Sequence, residues 1–377
     1  MAQISYLTTI DFDFGAIRTL PAVLSEIGIN RPLVVTDAGI VRAGLLDRVR
    51  DVLPPDLHVS IFDGTPPNPT EEAVEAAAAV YRAADADGLL AVGGGSSIDL
   101  AKGVSIAVTH PGPLLQYAAI LGGVPKIRAS LAPVVAVPTT AGTGSEVGRG
   151  ALITLRDGRK LGLLSPHLIP RRAVCDPELT LGLPPTLTAA TGMDALTHCI
   201  ETFLSPRINP VADAIALDGV ARAWKWIERA VHHGSDREAR WHMMMASLQG
   251  GLTFQKGLGA VHSMSHPLGA LQEPILHHGT LNAVILPAVL RFNDGYVGNK
   301  YDALRVAMGL PEGADLADAV AELNTRLRLP PNLRAMGVPD GVRERLVAGA
   351  VADHSTATNP RPVSADDFHR LFDMATG

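Results

Sequence analysis

The chain has 377 residues, 47% of them hydrophobic and 19% charged, with a formal net charge of −6 and aromatics at only 4%. This composition excludes intrinsic disorder, and the lack of a basic surplus excludes a general nucleic-acid binder. The length favours about two to three domains with largely aliphatic cores.

The opening stretch, MAQISYLTTIDFDFG, carries acids early and lacks the basic-then-apolar layout of a secretory leader. Beyond it, short β-rich runs at 32–36 (PLVVT), 58–62 (HVSIF), 88–92 (GLLAV) and 133–137 (PVVAV) alternate with helix-like segments at 17–27, 42–53, 71–84 and 97–108. Strands alternating with helices predict a parallel sheet covered on both faces, an α/β fold. The unbroken apolar character of GLLAV and PVVAV suits buried central strands. Asp157-Gly158 between LITLR and RKLGLL predicts a hairpin over 152–164. After Leu183-Pro184-Pro185 the patterns become long and helical, at 186–203, 211–231, 236–254 and 280–292. A boundary at that point divides the chain into 1–183 and 184–377. No run is long and apolar enough for a membrane span. Cys175 and Cys199 form no disulfide framework and fit a reducing cytosol, so a cytoplasmic protein with neither membrane nor nucleic-acid partners is expected.

Gly93-Gly94-Gly95-Ser96-Ser97 follows strand GLLAV and precedes a helix. Glycines there let backbone N–H groups and the helix dipole approach a phosphate, although a plain tight turn has the same look and the GxGxxG fingerprint is absent. Asp99 and Lys102 follow within two turns, each alone reading as a solvated residue. A second loop, Pro138-Thr139-Thr140-Ala141-Gly142-Thr143-Gly144-Ser145-Glu146, also follows a strand and has the composition of a loop that wraps a polar ligand. Two such loops at the carboxyl ends of strands in one open sheet mark a binding edge.

The 13 histidines of the chain are unevenly spread: His262, His266, His277 and His278 fall within 17 residues. Upstream, Asp194 and His198 are spaced i, i+4 on one predicted helix face, the spacing His262 and His266 repeat. One carboxylate with two or three imidazoles suits Fe(II) or Zn(II), whereas two polar pairs on unrelated helices would need no metal. His232 and His233 read as a solvated helix end, Met243-Met244-Met245 as core filling and Cys199 as buried and inert.

The stretches GGGSSIDLAKG (93–103), PTTAGTGSEV (138–147), DALTHCIE (194–201), GLGAVHSMSHPLGA (257–270) and HHGTLNAVILP (277–287), with Asn359-Pro360-Arg361, resemble the iron-dependent (group III) alcohol dehydrogenases over nearly the whole chain. The resemblance implies an N-terminal Rossmann-like domain holding NAD and a C-terminal all-helical metal-binding domain, with cofactor and metal meeting in the cleft between them. It implies Asp194, His198, His262 and His278 as metal ligands, His278 being the histidine before glycine in the HG motif and His277 its duplicate. His266 matches a histidine that lies near the nicotinamide, and it is the candidate for proton relay. The nucleotide-binding set comprises Asp37, Gly93, Gly94, Gly95, Ser96, Ser97, Asp99, Lys102, Thr139, Thr140, Thr143 and Ser145. Asp37, at the end of strand PLVVT, would accept from the adenosine ribose and disfavour a 2′-phosphate, which predicts NAD over NADP.

The chemistry implied is interconversion of a primary alcohol and an aldehyde, with a divalent ion lowering the pKa of the hydroxyl. FQKGLG, HHGTLNAV and VGRG look similar to 4-hydroxybutyrate dehydrogenases within that family. Arg149 and Lys256 read either as surface cations or, for at least one of them, as the group that binds the far carboxylate of a short ω-hydroxy acid. Simple uncharged alcohols or aldehydes are the alternative substrates. A dehydroquinate-synthase-like lyase is disfavoured because 257–270 has no Lys or Arg, a maleylacetate-reductase-like enzyme because the metal set is complete, and a non-catalytic NAD-binding module for the same reason. A homo-oligomer, dimer or larger, is expected.

Overall fold

A computed structural model describes residue 4 and residues 8–377. The leader reading rests partly on residues 1–3 and 5–7, which lie outside the described residues. The chain divides into two compact units, one taking in residues 8–140 and Ser145–Gly182, the other Ala141–Gly144 and Leu183–Gly377.

In the first unit a six-stranded parallel sheet is built from β1 (Thr9–Phe12), β2 (Pro32–Val35), β3 (Ser60–Phe62), β4 (Gly88–Gly93), β5 (Val134–Pro138) and, after the antiparallel hairpin β6 (Gly150–Thr154) and β7 (Lys160–Leu164), β8 (Arg172–Cys175). The order is β1-β8-β5-β4-β2-β3. Its helices are α1 (Leu20–Ile27), α2 (Ala38–Arg42), α3 (Leu45–Arg50), α4 (Glu71–Ala83) and α5 (Gly95–Thr109). Strands β2, β4 and β5 are buried along their whole length, as continuous apolar runs require when both faces of a sheet are covered. Successive side chains serve opposite cores. Leu33, Val35, Leu89 and Ala91 meet Val74 of α4 and Ile98 and Val104 of α5. Val34, Leu90, Val92 and Val135 meet Leu20 and Leu24 of α1 and Val49 of α3. The helix predicted over 42–53 is instead the pair α2 and α3, because Gly44 takes φ 69° and breaks the turn. The edge strand β1 and the short β8 were not foreseen from the sequence.

The second unit is helical: α6 (Pro185–Leu204), α7 (Pro210–His232), α8 (Arg237–Leu252), α9 (Ala260–Leu268), α10 (His278–Asn293), α11 (Lys300–Met308), α12 (Leu316–Arg326), α13 (Arg343–Val351) and α14 (Ala365–Thr376). Helix α6 is buried at every position from Thr188 to Leu204, packed against α7, α8 and α10. A helix enclosed on all sides must satisfy its own hydroxyls. Thr197 and Thr202 do so by donating to the carbonyls of Met193 and His198, each at 2.7 Å. Helix α10 approaches α6 closely because position 279 is glycine, where a Cβ would lie 2.2 Å from the Ala190 carbonyl oxygen. Among the described residues, no helix is long and apolar enough to cross a membrane.

Candidate active site

Within the helical unit, α6 supplies Asp194 and His198 one turn apart, α9 supplies His262, and His278 is the first residue of α10. One donor atom from each of these four lies within 4.8 Å of all the others. Asp194 Oδ1 is 3.6 Å from His198 Nε2, 3.9 Å from His262 Nε2 and 3.8 Å from His278 Nε2. Two of the rings are fixed from behind. His198 Nδ1–H donates to the Gly142 carbonyl at 3.2 Å, and His262 Nδ1 contacts Glu201 Oε2 at 2.5 Å. Such contacts select the tautomer whose Nε2 lone pair faces the cluster. Burial, reinforced by the neighbouring imidazoles, drives the pKa of His262 well below the ordinary value, which keeps it in the neutral form that ligates. One carboxylate and three imidazoles converging in a largely buried cluster are a donor set that fits Fe(II) or Zn(II).

Glu201 was not anticipated. It is buried, accepts from Val261 N at 2.8 Å as well as contacting His262, and burial raises its pKa to about 7. Its position one turn beyond His198 in DALTHCIE was the available signal. His277 precedes α10 without its side chain capping the helix, contacts Thr280 Oγ1 at 3.4 Å, and is not one of the four. His266 is buried with its Nδ1 2.8 Å from Asp353 Oδ2, while its Nε2 is buried without a hydrogen-bond partner among the described residues. Burial works to raise the Asp353 pKa, but the neighbouring imidazoles of His266 and His354 and the bonds from His266 and Ser355 outweigh it and hold the carboxyl well below its usual range. Lys256 departs from its expected place. It is 1% exposed, its Nζ is paired with Asp213 and donates to the Phe203 carbonyl, so its charge is neutralised inside the helical unit rather than offered to a substrate.

In the α/β unit the candidate nucleotide residues gather at the carboxyl ends of β2, β4 and β5. Gly93 ends β4 with φ 154°, and a Cβ there would lie 2.5 Å from Ser97 Oγ. Only glycine lets the chain turn so tightly into α5. Gly94 precedes α5 with no side chain capping the helix, which leaves the N–H groups around Gly95 and Ser96 for an anion. Thr140 lies beside Gly94, and Asp37 Oδ2 lies beside Gly93. Asp37 also caps α2, its Oδ1 accepting from Gly39 N and Ile40 N at 2.7 and 3.1 Å. Ser97 Oγ and Thr139 Oγ1 are buried with no hydrogen-bond partner among the described residues. Ser96 donates to the Pro67 carbonyl.

Asp99, Lys102 and Ser145 are used differently from the expectation. Lys102 is fully buried rather than solvated, with Nζ at 2.7–2.9 Å from Ser145 O, Ser145 Oγ, Gly148 O and Gly150 O. Asp99 accepts from Ser145 Oγ and, at 2.9 Å, from Leu152 N. These three residues fasten the second loop to α5 instead of facing a ligand. Burial lowers the Lys102 pKa to about 8 and raises that of neighbouring Glu146 to about 7. Arg149 is exposed on the loop so fastened. Thr143 falls in the part of that loop grouped with the helical unit.

Comparison with known proteins follows the same division. Residues 8–177 match the model of the iron-containing alcohol dehydrogenases and residues 188–376 the C-terminal model of the same family. The chain is 57% identical to 4-hydroxybutyrate dehydrogenase of Cupriavidus necator, an alignment covering 100% of both chains. Among solved structures it is similar to a 1,3-propanediol oxidoreductase, with a TM-score of 0.91 and 35% identity over 99% of this chain and 100% of the other. It is similar also to sulfoacetaldehyde reductase of Bifidobacterium kashiwanohense in complex with NAD+, with a TM-score of 0.88 and 28% identity over 100% and 99%. A chain matched from end to end in this way, with the Asp194 cluster and the glycine turn both in place, belongs to the iron-containing alcohol dehydrogenase family and is an oxidoreductase.

Proposed function

We propose that the chain is an NAD(H)-dependent dehydrogenase interconverting a short ω-hydroxy acid and its aldehyde, with 4-hydroxybutyrate and succinic semialdehyde as the pair. The observation that carries the substrate reading is the end-to-end 57% identity to a 4-hydroxybutyrate dehydrogenase. Likeness to a reductase whose named substrate is also an aldehyde with an anionic tail points the same way. In this reading 1–183 handles the nucleotide and 184–377 the metal.

Asp194, His198, His262 and His278 would hold Fe(II), with Zn(II) as the alternative. When bound, such an ion lowers the pKa of an alcohol and polarises an aldehyde carbonyl. The chain's own groups supply the rest. Glu201 and the Gly142 carbonyl hold the imidazoles in the ligating tautomer. Asp353 accepts from His266 Nδ1–H, which leaves the lone pair on Nε2 to take up the proton released on oxidation. The N–H groups of Gly94, Gly95 and Ser96 would receive the pyrophosphate of NAD, with Ser97 and Thr139 hydroxyls at hand. Asp37 Oδ2 would accept from the ribose and repel a 2′-phosphate. Arg149 would be a cation for the far carboxylate, a task its planar fork suits. A cytosolic location, which the buried free thiols of Cys175 and Cys199 fit, and a homo-oligomer, dimer or larger, complete the reading, and sedimentation measures the assembly.

The test is kcat/KM for succinic semialdehyde and butyraldehyde, each with NADH and NADPH, in wild type and Arg149→Ala. Wild type is expected to favour the acid and NADH. The substitution should lower kcat/KM for the acid alone by about tenfold, an exposed charge-assisted pair being screened by solvent. A preference for butyraldehyde, or for NADPH, overturns the reading.

A further inference from the structure

One turn beyond His278 on α10, Asn282 is fully buried. Its amide nitrogen lies 2.7 Å from Asp194 Oδ1 and 3.1 Å from both His262 Nε2 and His278 Nε2. These are three of the four atoms that form the candidate metal site. Its amide oxygen is buried with no hydrogen-bond partner among the described residues. The amide is therefore arranged with its donor facing an all-acceptor cluster and its acceptor facing nothing.

That arrangement and a bound cation exclude each other. An imidazole has one lone pair once its other nitrogen carries hydrogen, and His262 Nδ1 is already engaged by Glu201. The Nε2 lone pair then serves either the Asn282 N–H or a cation, not both. The two ends of an amide have nearly the same size, so exchanging them needs no change in packing. Reversed, the amide would bring its oxygen beside Asp194 Oδ1 and two imidazole lone pairs, a cage of acceptors that a cation stabilises. An amide carbonyl is also a suitable hard donor for a divalent ion.

We propose that Asn282 is a fifth residue of the cation site. Its amide oxygen faces the ion when the site is loaded, beside Asp194, His262 and His278. This rests on the reading of those residues as a metal site, and the two can be told apart.

The experiment titrates the metal-free full-length chain with Co(II) against a chromophoric chelator and records the visible Co(II) absorption, in wild type, Asn282→Leu and Asn282→Asp, with circular dichroism to check folding. Wild type should bind one Co(II). The Leu variant, of similar size with no oxygen, should bind about ten- to a hundredfold more weakly, with a changed Co(II) band. The Asp variant, with oxygen at both ends, should bind at least as tightly as wild type. A Leu variant that binds as tightly as wild type, or more tightly, with the same band overturns the proposal and leaves the amide as a stopper. If Leu fails to fold, the Asp variant decides: weaker binding than wild type overturns the proposal. A wild type that binds no Co(II) overturns the metal reading itself.

Discussion

The glycine turn of the α/β unit and the histidine cluster of the helical unit present different atoms. At Gly94–Ser96 the groups on offer are backbone N–H donors, left uncapped because no side chain caps α5. At Asp194 they are side-chain donors drawn from three helices, two of the imidazoles being held from behind. A backbone site depends on what is absent, namely a Cβ. A side-chain site depends on partners present at a distance in the chain, such as Glu201 for His262 and the Gly142 carbonyl for His198. Substitutions should therefore damage the two in different ways.

The largest effect is expected at the side-chain site. His278→Ala should lower affinity for the ion by more than a hundredfold, measured as bound iron or zinc by mass spectrometry, whereas His277→Ala should retain it. Equal metal content in the two variants would break the assignment. Next comes the backbone site. Gly93→Ala places a methyl against Ser97 and forces a backbone geometry that L residues rarely adopt. NADH affinity, read by fluorescence, should fall by about tenfold or more while metal content stays unchanged. Loss of both together would show that the two sites do not fail independently.

The smallest effect concerns the fastening of the second loop. Burial raises the Glu146 pKa to about 7, so the folded chain keeps a proton that the unfolded chain releases near the ordinary carboxyl value of about 4.5. The stability from that proton is fully present below about 4.5 and is lost as pH rises through about 7. Glu146→Gln removes the titration, so its urea midpoint relative to wild type should climb between pH 5 and pH 7 and level off above. A constant difference across that range would show that Glu146 does not hold its proton.

Much of this was legible in the residues. GLLAV and PVVAV gave away β4 and β5 because a strand covered on both faces has no polar side, and Asp157-Gly158 marked the β6–β7 turn. The edge strand β1, with the acid of TIDF, and the four-residue β8 lack such runs. The i, i+4 spacing pointed to Asp194 and His198, and the motifs pointed to the family to which the chain belongs. Glu201 and Asn282 were missed because spacing reports a shared helix face, not burial, and their partners His262 and Asp194 lie on other helices. Lys102 and Lys256 were misjudged for a related reason. A lysine looks solvated or ligand-seeking until the folded chain brings Ser145, Gly148 and Gly150, or Asp213, against its nitrogen.

The grouping of Ala141–Gly144 with the helical unit bears on how the protein can be taken apart. A gene cut at the 183/184 junction would leave the C-terminal fragment without those four residues and His198 without the Gly142 carbonyl. Two separately produced fragments are then not two self-sufficient modules. Mixing the two fragments should restore that carbonyl behind His198, which suits a split-protein reporter in which reassembly, rather than mere proximity, re-forms the support of a ligand ring.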